Sequence, residues 1–517
     1  MMRRNTFLSL GAWAVLICLM VTCLLPAACA EYSFDAVLDE IPTARIFAGA
    51  YVHDPSIIAV DGGYYIFGSH MTAAHTDDLR QFHSVGDGYH TSNPVYGEFL
   101  TSDRERIFAY AGLGDSLIPT DDGQCHVWAP DVIWNEAMGK YCMYVSISST
   151  WNASDIALAV SDDIDGPYRY VSTLVYSGFT ADTLSATDVT EYVPADYALS
   201  HYIKKTGEYN ITSCPNAIDP CVFEDAGGRL WMVYGSWSGG IFILEIDAAT
   251  GLPIRPEADG TDECDPYFGR HLAGGGHESV EGPYILYDAE QEYYYLFVSY
   301  GSLTADGGYQ IRVFRSEQPD RGYVDMNGKA LRAGVKHENF GLKLSGNYRL
   351  PSLDRACLST GHNSALIDAD GRKFLCYHTR FEGRGEFHEP RVKQYFLNRE
   401  GWPCVLPYAT GGEVLPAEGV TVAAVAGRYF FVNQGRKITS AIAEPEIMVL
   451  NQDGTLYCEN GGGTWLLREG TCYLHMNLNG TEYSGVFCPM RDEAGADVMA
   501  FTAVGGNESV WGVCYGD

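Results

Sequence analysis

Asp54-Pro-Ser-Ile-Ile-Ala-Val-Asp-Gly-Gly-Tyr-Tyr-Ile-Phe-Gly, residues 54 to 68, returns almost position for position at residues 219 to 235 as Asp219-Pro-Cys-Val-Phe-Glu-Asp-Ala-Gly-Gly-Arg-Leu-Trp-Met-Val-Tyr-Gly. Both stretches start on an acidic residue before proline, run through a branched or aromatic strand, turn at Asp and Gly, and return as an aromatic-rich strand. That is a β-hairpin written twice.

Three further segments share this grammar. Trp128-Ala-Pro-Asp-Val-Ile-Trp turns near Glu136 and returns from Lys140; Glu281-Gly-Pro-Tyr-Ile-Leu-Tyr-Asp returns from Tyr293; His362-Asn-Ser-Ala-Leu-Ile-Asp turns and returns to His378. A second echo, Val160-Ser161 to Gly166-Pro167-Tyr168 and Arg315-Ser316 to Gly322-Tyr323, adds outer strands to some hairpins. A hairpin with one or two more strands cannot bury both faces alone, so five units predict a five-bladed β-propeller. Uneven spacing puts long insertions at Phe82 to Cys125 and Val175 to Pro215, expected on the binding face. The grammar stops after about Tyr408. Ala409-Thr-Gly-Gly-Glu reads as a linker into short strands such as Arg428-Tyr-Phe-Phe-Val and Ser509-Val-Trp-Gly-Val, which predict a small C-terminal β-barrel or β-sandwich. The expected organisation is all-β: a leader at 1–30, a propeller at 31–408 and a second domain at 412–517.

The composition fits two domains and limits the partners. In 517 residues, 66 acidic against 34 basic side chains give a formal charge of −32, which repels nucleic acid and anionic lipid. The 35 Tyr, 22 Phe and 9 Trp suit sugar rings, whose apolar faces stack on aromatics.

Arg3 and Arg4, an apolar run from Phe7 to Leu25 and Ala28-Cys29-Ala30 form an export signal with a small-residue cleavage site, so a secreted or cell-surface chain is expected. Cys29 leaves lipid anchoring open, and the interrupted run is short for a membrane span. Of 15 cysteines, those outside the leader are scattered without metal spacing; they read as a few disulfides or free thiols, Cys214 with Cys221 being the first pair to test.

In a propeller the inner strand of each blade lines the axis, so equivalent strand starts converge. Aligned on the neighbouring proline or small residue, the starts are Asp54, Ala129, Asp219, Glu281 and His362. Capped Asx turns would explain either Asp-Pro alone but give no reason for Glu281 and His362 at the matching positions. Carboxyls crowded on one axis spread their pKa values, which separates acid from base. Glycoside hydrolysis needs such a pair.

At these residues the sequence resembles a known family. His53-Asp54-Pro-Ser, Trp128-Ala-Pro-Asp, Ala217-Ile-Asp219-Pro, Val280-Glu281-Gly-Pro and Gly361-His362-Asn-Ser are similar to the successive signatures of family 43 glycoside hydrolases, over about residues 46 to 408. His378-Thr-Arg-Phe, Phe387-His-Glu-Pro-Arg-Val and Gly401-Trp-Pro resemble the two-domain endo-α-1,5-L-arabinanase branch. The resemblance implies internal cleavage of arabinan, or pectin side chains, with inversion. Asp54 would be the general base, Glu281 the general acid, and Asp219 would orient the acid and tune its pKa; inversion calls for roughly 6.5–9.5 Å between base and acid. It further implies a metal, usually calcium, at His362, although calcium prefers oxygen and most ligands would be water. Trp128, Ile218, Ser236 and Trp237 would contact substrate, with blade packing as the other reading of Trp128. A monomer is expected. His277-Glu278 beside Gly274 to Gly276 reads as a loop. The alternatives are an exo-acting arabinofuranosidase or xylosidase on the same fold, decided by loops, and a non-catalytic glycan-binding propeller.

Overall fold

Each of the five repeated hairpins becomes the inner half of a blade. The computed structural model describes residues 41–44, 47–120, 123–257 and 263–516; the leader and Cys29 lie outside them. In the first blade β1 (Ser56–Val60), β2 (Gly63–Gly68), β3 (Thr72–Thr76) and β4 (His83–Gly86) form a meander. Its hairpin turn, Asp61-Gly62, has positive φ at both residues (51° and 85°), the twist that lets Val60 pair directly with Gly63.

The second blade is β5 (Val127–Asn135), β6 (Lys140–Ser148), β7 (Ser154–Ser161) and β8 (Arg169–Tyr176). The third starts with β9 (Cys221–Glu224), β10 (Leu230–Tyr234) and β11 (Ile241–Ile246), and the short β12 (Pro253–Ile254), β13 (Cys264–Asp265) and β14 (Gly269–Ala273) enlarge it to six strands. The fourth is β15 (Glu281–Asp288), β16 (Tyr293–Tyr300), β17 (Gln310–Ser316) and β18 (Leu342–Ser345); the fifth is β19 (Cys357–Ile367), β20 (Lys373–Phe381), β21 (His388–Leu397) and β22 (Pro403–Val405). The inner strands β1, β5, β9, β15 and β19 touch in that order, and β19 touches β1, so the ring closes. Among the described residues no strand is exchanged at the seam. Side chains of blade five tie blade one instead: Ser364 Oγ accepts from Ile57 N–H, and Glu389 Oε2 accepts from Ala48 N–H.

The second unit of structure is a closed barrel of eight antiparallel strands, β23 (Gly427–Asn433) through β30 (Glu508–Cys514), which settles barrel against sandwich. Phe431, Trp465, Phe487 and Phe501 fill its interior, so it is a packed core. From Thr43 onward propeller and barrel are one compact unit. Val432, Trp511 and Val513 on the barrel pack against Tyr348, Leu350 and Cys357 on the propeller. The stretch read as a linker is fixed: Ala409 N–H donates to Glu493 Oε1 and Thr410 N–H to Val392 O.

Cys214 and Cys221 are both free and sit in different core clusters. The pairing expectation is corrected, and the free-thiol reading holds for both: Cys214 precedes the third blade and Cys221 starts its inner strand, each packed into its own hydrophobic cluster.

Candidate active site

The backbone bends at every repeat start. Asp54, Ala129, Asp219 and His362 have φ of 52°, 37°, 58° and 47°; at the fourth start the positive φ falls on Gly282 (56°), one residue after Glu281. Register shifts interrupt β5 between Trp128 and Asp131, β15 between Glu281 and Tyr284, and β19 between Gly361 and Ser364. Such strained kinks re-aim a side chain out of the sheet, and they persist only where surrounding structure holds them.

What holds them is a ring of side chains from the second strand of the preceding blade. Ala129 N–H donates to Ser69 Oγ, Asp219 N–H to Ser146 Oγ, His362 N–H to Ser299 Oγ and Asp54 N–H to His378 Nδ1. In blade three the equivalent Ser236 donates its hydroxyl to Glu281 Oε2 at 3.0 Å. The sequence signal was present at the ends of the second strands, as Phe67-Gly-Ser69, Tyr144-Val-Ser146, Tyr234-Gly-Ser236, Phe297-Val-Ser299 and Cys376-Tyr-His378.

Asp54, Asp219, Glu281 and His362 line one cavity of about 660 Å³, a size typical of ligand pockets, and so do Trp128, Ile218, Ser236 and Trp237. Asp54 is buried. Ser69 Oγ donates to its Oδ2 at 2.5 Å, His53 Nδ1 lies 2.7 Å from the same oxygen, and His362 Nδ1 lies 3.1 Å from Oδ1. Burial alone would raise the Asp54 pKa, but His362 and then His53 overcome it and hold the carboxyl well below its ordinary 3.8. Glu281 goes the other way: burial is the largest influence and raises it, against the nearby Tyr309 hydroxyl, the charge of His362 and the hydrogen bond from Ser236. Asp219 is pushed up to about 7 by burial, partly countered by His362 and reinforced by Glu281 and Asp54, while its Oδ2 accepts from Gly282 N–H at 3.1 Å. The cavity therefore contains one carboxylate and two carboxyls disposed to hold protons.

Trp237 and Ser236 do more than line the wall. Trp237 Nε1 donates to Glu281 Oε2 at 2.8 Å, on the same oxygen as Ser236. Trp128 stacks on His126 at 5.0 Å and lies 6.0 Å from Trp151, whose ring is 70% exposed at the rim. The insertion at Val175 to Pro215 brings Ile211 to the cavity. His277, read only as a loop residue, lies 5.9 Å from Trp237 and faces the same space. Sequence reasoning also passed over His53, Ser69 and Arg380; the Arg380 Nη2 comes within 3.4 Å of His53 Nε2.

For a cation at His362 the donor set is sparse. One ring nitrogen faces Asp54, leaving Nε2, and a burial pull downward is outweighed by the Asp54, Asp219 and Glu281 carboxyls, which raise the imidazole to about 9. A cation at Nε2 would take the place of the second ring proton: with Nδ1–H turned to Asp54, the neutral imidazole offers the Nε2 lone pair and water would supply the other ligands. His53, Asp54 and His378 also bring ligand atoms within 4.8 Å of one another, yet His378 Nδ1 is already taken by Asp54 N–H.

The chain is similar over most of its length to known proteins. Residues 186–403 match the model of glycosyl hydrolases family 43, and residues 407–512 match its C-terminal lipocalin-like domain. An extracellular endo-α-(1→5)-L-arabinanase of Thermotoga petrophila is 37% identical over 496 residues, covering 92% of this chain and 95% of that protein. Extracellular endo-α-(1→5)-L-arabinanase 2 of Bacillus subtilis is 36% identical, covering 90% and 93%. The crystal structure of the Thermotoga petrophila endo-1,5-α-L-arabinanase superposes with a TM-score of 0.77 at 36% identity, covering 92% of this chain and 99% of that one. A matching propeller, a matching barrel and near-complete coverage at this identity place the chain in glycoside hydrolase family 43.

Proposed function

We propose that the chain is an extracellular endo-α-1,5-L-arabinanase acting with inversion. The observation that carries the reading is the opposite tuning of two carboxyls in one cavity, Asp54 low and Glu281 high, on a chain that spans 95% of a 37% identical endo-arabinanase. Asp54, ionised, takes a proton from water as the water adds to the anomeric carbon. Glu281, protonated, gives its proton to the glycosidic oxygen as the carbon–oxygen bond breaks and the electron pair leaves with that oxygen. Asp219 accepts from the Gly282 N–H beside the acid and so orients it; raised to about 7, its carboxyl adds negative charge only where it ionises, and that charge then favours the protonated form of Glu281. Trp128 with the exposed Trp151 offers aromatic faces for sugars beyond the cleaved bond.

Calcium is the cation this reading places at His362 Nε2, its other ligands being water; when bound it supplies positive charge beside Asp54. Metal analysis after mild dialysis tests this, and a metal-free, fully active preparation contradicts it. The activity itself is tested by the products formed from linear α-1,5-arabinan. Mixed oligosaccharides at the first time points support internal cleavage. Arabinose alone from the start means exo action, and binding without cleavage means a glycan-binding propeller.

A further inference from the structure

We propose that Tyr309 is a positioning residue for the acid, its hydroxyl donating to the Glu281 carboxylate that forms when the proton has left; this rests on the acid role proposed for Glu281. Tyr309 immediately precedes β17, in the blade whose inner strand begins with Glu281. Glu281 pairs with Ser299 and Ser299 with Ile311, so Tyr309 stands two residues beyond that row, at the axial end of the sheet.

The side chain is fully buried and built in. Gly361, next to His362, makes room for it: a Cβ there would come within 2.1 Å of Tyr309 Cδ1. On another side the His378 ring lies nearly parallel (24°) at 5.8 Å. Packed between these two strands of blade five, the phenol sits beside the catalytic carboxyls: burial and then the charges of Glu281, Asp54 and Asp219 push its pKa well above the ordinary range. Its proximity lowers the Glu281 pKa against burial, and among the described residues the hydroxyl has no hydrogen-bond partner.

A buried hydroxyl without a partner is costly, and phenylalanine would fill the same cradle without that cost. The hydroxyl becomes useful when Glu281 turns from acid to carboxylate. At that moment Oε2 already accepts from Ser236 and Trp237, and Tyr309 adds a third donor. Tyr309 keeps its own proton throughout: the proton on the leaving oxygen is that of Glu281, and the proton lost by water goes to Asp54.

The test compares Tyr309→Phe with the unaltered protein on two substrates, arabinohexaose, whose leaving group needs protonation, and an aryl arabinotrioside with a chloronitrophenyl leaving group, which does not. The kcat on arabinohexaose is expected to fall roughly ten- to hundredfold with KM unchanged, while kcat on the aryl substrate stays within about threefold. In a Glu281→Gln background the same substitution should have no further effect. Equal losses on both substrates, no loss on arabinohexaose, or a loss carried by KM would each overturn the proposal. Glu281→Gln separates the two readings. If it loses activity equally on both substrates, the acid role fails and Tyr309 with it. If it loses activity only on arabinohexaose while Tyr309→Phe loses none, only the Tyr309 role fails.

Discussion

A single proton decides what each carboxyl can do, and three residues around Asp54 keep that proton away. Ser69 is the most exposed of these arguments to experiment, because its hydroxyl serves both Asp54 Oδ2 and the N–H of Ala129. Ser69→Ala leaves that buried N–H unpaired, so it should cost about 1–3 kcal/mol in urea unfolding and reduce kcat roughly tenfold with little change in KM. The pH profile of kcat/KM carries a second expectation. Activity needs Asp54 ionised and Glu281 protonated; the lowered Asp54 pKa sets the acid limb below the ordinary carboxylate range, and the raised Glu281 pKa sets the alkaline limb above it. An alkaline limb already falling below pH 4.5, the ordinary value for Glu281, would contradict the assignment. At this scale Asp54, Asp219, Glu281 and His362 were legible because the repeat aligns them. Ser69 and Tyr309 were passed over: Ser69 recurs at the strand ends but acts on the start of the next blade, and Tyr309 precedes a third strand, outside the hairpins that the repeat aligns.

Elements meet at Asp131, which sits in the bulge of β5 and joins three inner strands. Its Oδ1 accepts from Ser56 Oγ in β1 at 2.5 Å and its Oδ2 from Val222 N–H in β9 at 2.6 Å. Burial pushes its pKa up to about 6, with those hydrogen bonds opposing. The folded protein therefore retains a proton that the unfolded chain has lost between about pH 4 and 6, and this group's contribution to stability falls as pH rises through that window. Asp131→Asn can offer oxygen to Val222 N–H and NH₂ to Ser56 Oγ. Its unfolding free energy should match or exceed the unaltered protein at pH 7, whereas Asp131→Ala should lose about 2–4 kcal/mol. Denaturant curves at pH 4 and 7 check both. The motif Trp128-Ala-Pro-Asp131 was visible in sequence, but its aspartate was passed over because its partners lie 75 and 91 residues away.

At the scale of the whole molecule the barrel is welded to the propeller by buried polar groups. Lys343 Nζ donates to Gln434 O and Lys437 O, and Asn507 Nδ2 to Asp325 Oδ2. Lys393 lies between the rings of Tyr348 and Trp511, 4.3 and 4.1 Å from their centroids, with no hydrogen-bond partner for Nζ. Burial brings its pKa down to about 7, so the unfolded chain binds the extra proton between there and the ordinary 10.5, and stability rises with pH across that range. Lys393→Met removes a buried, unpaired ammonium; the melting midpoint at pH 7 should rise by about 1–3 °C and its climb toward pH 9 should flatten. An unchanged midpoint would mean the two rings already offset the desolvation. Five blades and a second β domain could be read from the hairpin grammar, because strand starts, turns and aromatic returns recur in the chain itself. The closed barrel and the fixed Ala409–Glu413 stretch could not, since both depend on contacts between distant residues that leave no periodic mark.

The central claim is that Asp54 and Glu281 act from opposite faces of one sugar. It is tested most directly by ¹H NMR of the first products released from linear α-1,5-arabinan, recorded before mutarotation. The account predicts reducing ends that appear first in the β configuration. Ends that appear first in the α configuration would contradict it, because retention requires one of these carboxylates to attack the sugar directly.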